Sequence, residues 1–399
     1  MDNDRLGERP RIDAYLLEFT GTGREFFRVW IVNVLLTVVT FGFYTPFARR
    51  RTAQYFYSHT LVASSPLEFT AGKKKMVVGF LILVVLYGAF QLAAETGQDS
   101  MVTFMMVAGA VLAPYFWASA MRFRLGSTRW RGVRLQFTAG WLQVYLASWP
   151  LFVIALAWIG VSAFAGTLVA PGATKPQVYA VLGPILGVGA VALVVSILCA
   201  IRLEFNYKSL LVARARIGGQ SGRWKPVFGD FVQIWVATLG VFLLSVLLVG
   251  VAIAVALGGS IALFRQLQGT GLMVILVTIA LVILGFFVLF LISGPARAYR
   301  EARMFHLVWN NIGVSHVARF RCDLSVASYV WLRIRNILFT LLTLGLYRPF
   351  AMLSEYAMKT DSVSLHVKGS LGQLVGQLAR EENGLGDALA DAAGLDLVG

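Results

Sequence analysis

Four histidines are the first residues to test for chemistry, because imidazole is the commonest metal ligand and titrates near neutral pH. His59, His306, His316 and His366 include no pair at i, i+4 spacing, and none stands with a cysteine or carboxylate in a metal-ligand pattern. His306 and His316 lie ten residues apart in one basic connection, so a shared site there stays open, with solvated imidazoles as the simpler account. Cys199 and Cys322 read as small buried hydrophobes rather than a disulfide framework or a zinc set. Gly21-Thr22-Gly23 precedes an apolar helix as a phosphate loop would, but lacks the Gly-Lys-Ser/Thr ending that places a lysine and a magnesium ion. Glu18 and Glu25 read as solvated carboxylates rather than an acid and base pair. No His-Glu-x-x-His or Gly-x-Ser-x-Gly motif occurs. The expectation is a protein that is not an enzyme, with no catalytic residues, no metal and no cofactor.

A different kind of chemistry is suggested by polar residues inside apolar segments. Asn33, Thr37, Thr40, Gly42 and Pro46 occur in one such segment, and Asn336, Thr340, Thr343, Gly345 and Pro349 occur in another at a constant offset of 303. A helix broken at Gly or Pro frees backbone groups that can bind a solute, so these ten residues are the candidate lining of a pore or half-helix site. The alternative is that the Asn and Thr side chains hydrogen-bond across packed helices and cap the breaks. Arg49, Arg50, Arg51, Arg122 and Arg124 follow apolar segments and are candidates to hold the headgroups of anionic phospholipids.

The elements that must position these residues follow from composition. The chain has 399 residues, 58% hydrophobic and 14% charged, and its mean hydropathy is +0.72. A soluble protein is nearer half apolar and a quarter charged, so this composition specifies a membrane protein. Six stretches reach the length that crosses a bilayer: 76–95, 100–120, 142–166, 177–201, 232–258 and 272–294. Their interiors hold no Asp, Glu, Lys or Arg, which disfavours proton coupling through a buried carboxylate. Gly183, Gly187 and Gly189 suggest close helix packing. Two shorter apolar segments, Trp30–Tyr44 and Ile337–Tyr347, have basic residues at both ends and read as half-helices that enter and return on one side. Eight crossings remain the alternative if Arg333 and Arg335 snorkel.

The net charge of +15 would suggest nucleic acid in a soluble chain. Its distribution argues otherwise. The segments 49–75, 118–140, 202–231 and 295–335 hold 24 of the 35 Lys and Arg, whereas the connections 95–100, 167–176 and 259–271 hold two. Basic loops resist translocation, so the four basic segments are expected in the cytoplasm together with both termini, and no nucleic-acid partner is expected. Alternating residues such as those around Leu135 and Phe137 predict short strands in these connections, able to pair into a small basic cap.

Repeats are legible as well. Thr40-Phe41-Gly42-Phe43-Tyr44-Thr45-Pro46-Phe47-Ala48 aligns with Thr343-Leu344-Gly345-Leu346-Tyr347-Arg348-Pro349-Phe350-Ala351, and Leu67-Glu68-Phe69-Thr70-Ala71-Gly72 aligns with Leu135-Gln136-Phe137-Thr138-Ala139-Gly140. Periodic self-similarity suggests one supersecondary unit used several times. With Trp30-Ile31-Val32-Asn33, Trp309-Asn310-Asn311 and the acidic-apolar stretch Asp387 to Val398, these motifs resemble the YjgN family of uncharacterised bacterial inner-membrane proteins over nearly the whole chain. Phe47 and Phe350 stand where that family often has Trp, and the unit near Ala213 lacks the proline. The resemblance implies a bacterial inner-membrane location and internal duplication, and transfers no functional residues.

The expected fold is therefore an all-α polytopic membrane protein with six full crossings, two short re-entrant helices, interfacial amphipathic helices and short cytoplasmic strands. Its expected parts are a cytoplasmic segment 1–28, a membrane domain 29–351, a cytoplasmic segment 352–379 and an acidic tail 380–399. The expected function is translocation or permeation of a small or amphipathic solute, with the cytoplasmic arginines favouring an anionic one. The alternative is a scaffold or adaptor that meets a protein partner through its basic cap or through the tail, which carries Glu381, Glu382, Asp387, Asp391 and Asp396 among leucines.

Overall fold

Hairpins organise the chain. The dipeptides Ala63-Ser64 and Arg131-Gly132 have positive φ at both positions, and Gly218 has φ of 58°. Two-residue turns of this hand match the right-handed twist of the flanking strands, so each closes an antiparallel pair. The resulting hairpins are β2 (Thr60–Val62) with β3 (Ser65–Phe69), β4 (Thr128–Trp130) with β5 (Val133–Phe137), and β6 (Ala215–Ile217) with β7 (Gln220–Trp224). A fourth joins β8 (Ile312–Val314) to β9 (Ala318–Cys322). The computed structural model describes residues 12–169, 175–225, 227–258, 271–315 and 318–368, with 372, 375 and 376.

Strands of three to five residues cannot hold together as isolated pairs. Here each hairpin pairs edge to edge with the next, and the ring is completed from the two ends of the described chain by β1 (Ile12–Phe19) and β10 (Val363–Lys368). Ile12 faces Lys368 and Leu16 faces Ser364, after which β1 continues onto β2 with Leu17 opposite Val62. The product is a closed antiparallel barrel of ten strands. Alternation along each strand sends Leu17, Trp130, Val133, Leu365 and Val367 into the core, and leaves Leu16, Arg134, Arg216, Arg319 and Arg321 outside.

Hairpin geometry then fixes where the helices start. All turns lie at one rim of the barrel, with Ile12 and Lys368, and all helix connections lie at the other rim. The chain leaves the helical rim as α1 (Gly23–Val39) and returns as α2 (Thr45–Ser58), leaves as α3 (Lys73–Glu95) and returns as α4 (Asp99–Gly126). The next excursion comprises α5 (Trp141–Ala147), α6 (Trp149–Leu168) and α7 (Lys175–Ala213). It is followed by α8 (Phe228–Gly258) with α9 (Gly271–Asn310), and by α10 (Val326–Leu342) with α11 (Arg348–Thr360).

These elements correct the all-α reading. The physical reason is that a three-residue strand carries no periodicity of its own, and closure depends on pairing between residues hundreds of positions apart. The expectation of six crossings is also corrected. Among the described residues, five helices (α3, α4, α6, α7 and α8) are long and apolar enough to cross a membrane, and the window 272–294 lies mostly outside the residues whose side chains are described. Neither α1 nor α10, at 17 residues each, is among the five. The second short segment is helical over Val326–Leu342 rather than Ile337–Tyr347. Among the described residues nothing lies within 4 Å of where a side chain on Gly183, Gly187 or Gly189 would project, so the expected close packing is not seen there.

The two short hairpins turn back at matching points. Phe41 and Gly42 have φ of 48° and 91°, and Leu344 and Gly345 have φ of 52° and 93°. Only glycine takes the second of these conformations without strain. At the tips Phe41 and Leu344 are 93% and 95% exposed, apolar points at the far end of each hairpin from the barrel.

Register in the barrel wall can be tested at two adjacent leucines. Leu17→Asp places a carboxylate in the barrel core and is expected to cost about 3 kcal/mol or more, whereas Leu16→Asp, on the outer face, is expected to change the melting temperature little. Equal melting of the two variants would contradict the closed barrel.

Candidate functional site

Most residues expected to line a pore spend their hydrogen bonds locally. The Asn33 side-chain amide donates to the Ala48 carbonyl and the Thr52 hydroxyl, both at 3.4 Å, tying α1 to α2. Asn336 donates to the Ala351 carbonyl at 3.3 Å and to the Ser354 hydroxyl and Glu355 carboxylate at 3.0 Å, tying α10 to α11. The Thr37 and Thr340 hydroxyls donate to the carbonyls of Asn33 and Asn336 at 2.7 and 2.6 Å. The Thr40 and Thr343 hydroxyls accept from the Tyr44 and Tyr347 amides across the breaks. Pro46 and Pro349 are buried near the starts of α2 and α11, where a missing N–H costs nothing. Gly42 and Gly345 face open space.

The arginines divide in the same way. Arg50 donates to the Ala71 carbonyl at 2.9 Å and Arg122 to the Ala139 carbonyl at 2.6 Å, so each braces the exit of a hairpin. Arg122 also lies 3.8 Å from the centroid of the Trp141 ring. Arg51 reaches the Tyr44 hydroxyl at 3.3 Å, and Arg49 and Arg124 are exposed. Thr22 caps α1 and exchanges hydrogen bonds with the Tyr55 hydroxyl, which explains the Gly21-Thr22-Gly23 turn. His316 and the tail 380–399 lie outside the described residues.

A site that the sequence does not announce sits where α7, α9, α10 and α11 meet the barrel. A cavity of about 600 Å³ is lined there by Lys208, Arg297, Arg300, Arg333 and Lys359 against two acids, Glu204 and Glu301. Glu204 lies 2.9 Å from Lys208 and 3.6 Å from Arg300, and accepts a hydrogen bond from the Trp235 indole at 2.9 Å. Glu301 pairs with Lys359 at 2.6 Å, and Arg333 pairs with Glu355. Burial pushes the Glu301 carboxyl up, but the hydrogen bond and charge of Lys359 outweigh it and hold the carboxyl below the usual carboxylate range. Burial, with the Glu301 charge behind it, raises the Tyr329 phenol.

A second cavity, of about 230 Å³, shares Arg297 and Arg333 with the first and adds Asn336, Thr340, Arg348 and Glu355. Asn336 and Thr340 are thus the pore-lining candidates that reach this site. Among the described residues the side-chain oxygens of Asn336 and of Asn33, its counterpart in the first hairpin, are both buried without a hydrogen-bond partner, so this feature belongs to the twin hairpins and not to the cavity alone. The two cavities together hold six cations and three carboxylates. Arg297 and Arg348 make no ion pair among the described residues, and both are exposed where they border the cavities.

The first cavity adjoins a third of opposite character. Inside the barrel a cavity of about 190 Å³ is lined only by apolar surface, from Leu17, Trp130, Leu135, Val314, Phe320 and Leu365 among others, and Trp309 borders both it and the 600 Å³ cavity. Sequence reading missed this cluster because arginines and lysines of basic connections are fully explained by membrane orientation. Glu204, Glu301 and Glu355 were the available signal: acids at helical positions inside otherwise basic segments.

Comparison with known proteins places these features in a family context. The family model described as "Bacterial protein of unknown function (DUF898)" matches residues 14–392. Curated relatives called "Inner membrane protein YjgN" are 24% identical over 200 residues in Escherichia coli O157:H7 and 23% identical over 200 residues in Escherichia coli K12, each match covering 50% of both chains. A protein of that name from Salmonella typhimurium is 22% identical over 140 residues, or 35% of each chain. The chain thus spans about half the length of the first curated relatives it matches. No solved structure matches.

Two measurements test the charge cluster. Arg333→Met leaves the Glu355 carboxylate buried without its cation, and is expected to cost about 2 kcal/mol after allowance for the solvent that reaches Arg333. Adding Glu355→Gln should recover part of that loss, and no recovery would show that the pair is not coupled. Because the Glu301 carboxyl is held below its ordinary range, the stability it contributes is complete above about pH 4.3 and is lost as pH falls through the lower folded value. Glu301→Gln should therefore flatten the acid side of the melting-temperature profile, and an unchanged slope would assign the acid loss elsewhere.

Proposed function

The chain belongs to the DUF898 family of bacterial proteins, and from that premise we propose that it is an inner-membrane protein that translocates an anionic amphiphile across the bilayer, with its barrel taking up the apolar part. One observation carries this reading: a cationic cavity at the helix–barrel junction that shares Arg297 and Arg333 with a pocket reaching Thr340, and shares Trp309 with the apolar barrel interior. The solute's charge is matched by Arg297, Arg348 and their neighbours, and its apolar part by the walls of the third cavity. The barrel and the ends of the described chain lie in the cytoplasm on this reading, supported by the concentration of Lys and Arg in the connections at the helical rim. The chain's lipid partners include anionic phospholipids, attracted by Arg49 and Arg124. No enzymatic step is invoked.

An adaptor role is supported by one further observation. Arg134, Arg216 and Arg319 are exposed on the outer wall of the barrel, a basic surface that suits an acidic partner. Deleting residues 380–399 and recovering the same co-purifying proteins as full length would remove the tail from that reading.

The test of translocation is movement of a fluorescent single-chain anionic lipid across reconstituted liposomes. Movement should exceed that of protein-free vesicles and fall about tenfold in Arg297→Gln, the loss of ~1.4 kcal/mol of anion binding. Rates equal to protein-free vesicles for carboxylate, phosphate and sulfonate headgroups alike would overturn the proposal.

A further inference from the structure

We propose that the barrel interior is a binding site for one hydrocarbon chain. This rests on the anionic-amphiphile reading for the headgroup, but the barrel makes its own case for the chain. Its cavity has no polar lining at all, and residues from nine of the ten strands face it, with Trp309 closing the side toward the cationic cavity. Water has no partner in such a space, and an apolar void of about 150 Å³ already accommodates a benzene-sized hydrocarbon. At about 190 Å³ the cavity accepts the end of a single chain and excludes a pair of them.

Orientation follows from the same residues. Trp309 lies with its ring 5.0 Å from that of Phe320 on the barrel side and 5.7 Å from that of Phe305 on the other. It is the partition between the apolar cavity and the cavity that holds Arg297, Arg300 and Lys359. A chain threaded past Trp309 places its polar end among these cations and its tail against Trp130, Leu135, Ala318 and Leu365. The site therefore takes a single-chain anionic amphiphile with a carboxylate or phosphate head.

Tryptophan quenching reads this out directly. The full chain in lipid nanodiscs is titrated with terminally brominated dodecanoate, and the signal assigned to the barrel is the quenching component removed by Trp130→Phe. That component should saturate, and should be lost in Ala318→Leu and independently in Leu135→Phe, each of which fills the cavity, with melting curves checking that both variants fold. Terminally brominated dodecanol separates the two readings. If both probes quench Trp130 equally and Arg297→Gln has no effect, the barrel site stands and the anionic reading falls. If dodecanoate binds in an Arg297-dependent way while Trp130 stays bright, or if a folded filling variant quenches as the parent does, the barrel inference is overturned and the anionic reading survives.

Discussion

Pairing of β1 with β10 is the interaction on which the rest of the structure depends. Short strands beside a bilayer would expose unpaired edges, and a ring is the arrangement that leaves none. The eight strands of the four hairpins form an open ribbon until residues 12–19 and 363–368 close it. Side chains reinforce the seam: the Asp361 carboxylate accepts from the Phe19 amide at 2.9 Å, and the Thr60 and Tyr356 hydroxyls meet at 2.9 Å. Phe19, Phe56 and Tyr356 pack their rings around the same point.

Closure imposes order on everything above the barrel. Each hairpin returns the chain to the same rim, so every helical excursion leaves and re-enters there regardless of its length. Short pairs can coexist with long ones for this reason. The α1–α2 and α10–α11 hairpins turn back at glycine, and they pack beside each other through Phe27 and Phe350, whose rings lie 5.6 Å apart. Asn33 and Asn336 make corresponding hydrogen bonds to the returning helix in each, a use of buried amides that holds two apolar helices in register.

The same convergence creates the cationic cavity. Charged residues at the barrel ends of α7, α9, α10 and α11 are kept out of the apolar spans, and the rim brings them within a few ångströms of one another. Individually they are ordinary positions near a membrane surface. Together their six cations and three carboxylates enclose space beside an apolar barrel interior, and the proposed preference for an amphiphile rests on the juxtaposition of the two environments.

Apolar run length, the bias of Lys and Arg between connections, and the twin Thr-x-Gly-x-Tyr-x-Pro-Phe-Ala motifs are local quantities, and the sequence by itself determined from them a membrane protein, its long helices, the breaks at Gly42 and Gly345, and the family. The alternation around Leu135 also marked β5 correctly as a strand. Barrel closure and the assembly of Glu204, Glu301, Glu355, Arg297 and Arg333 into one site were decided only by the tertiary structure. Strands of three residues are too short to carry a pattern, and partners separated by up to about 350 positions meet because edge hydrogen bonds must be satisfied, a requirement that acts through space and leaves no trace in neighbouring residues.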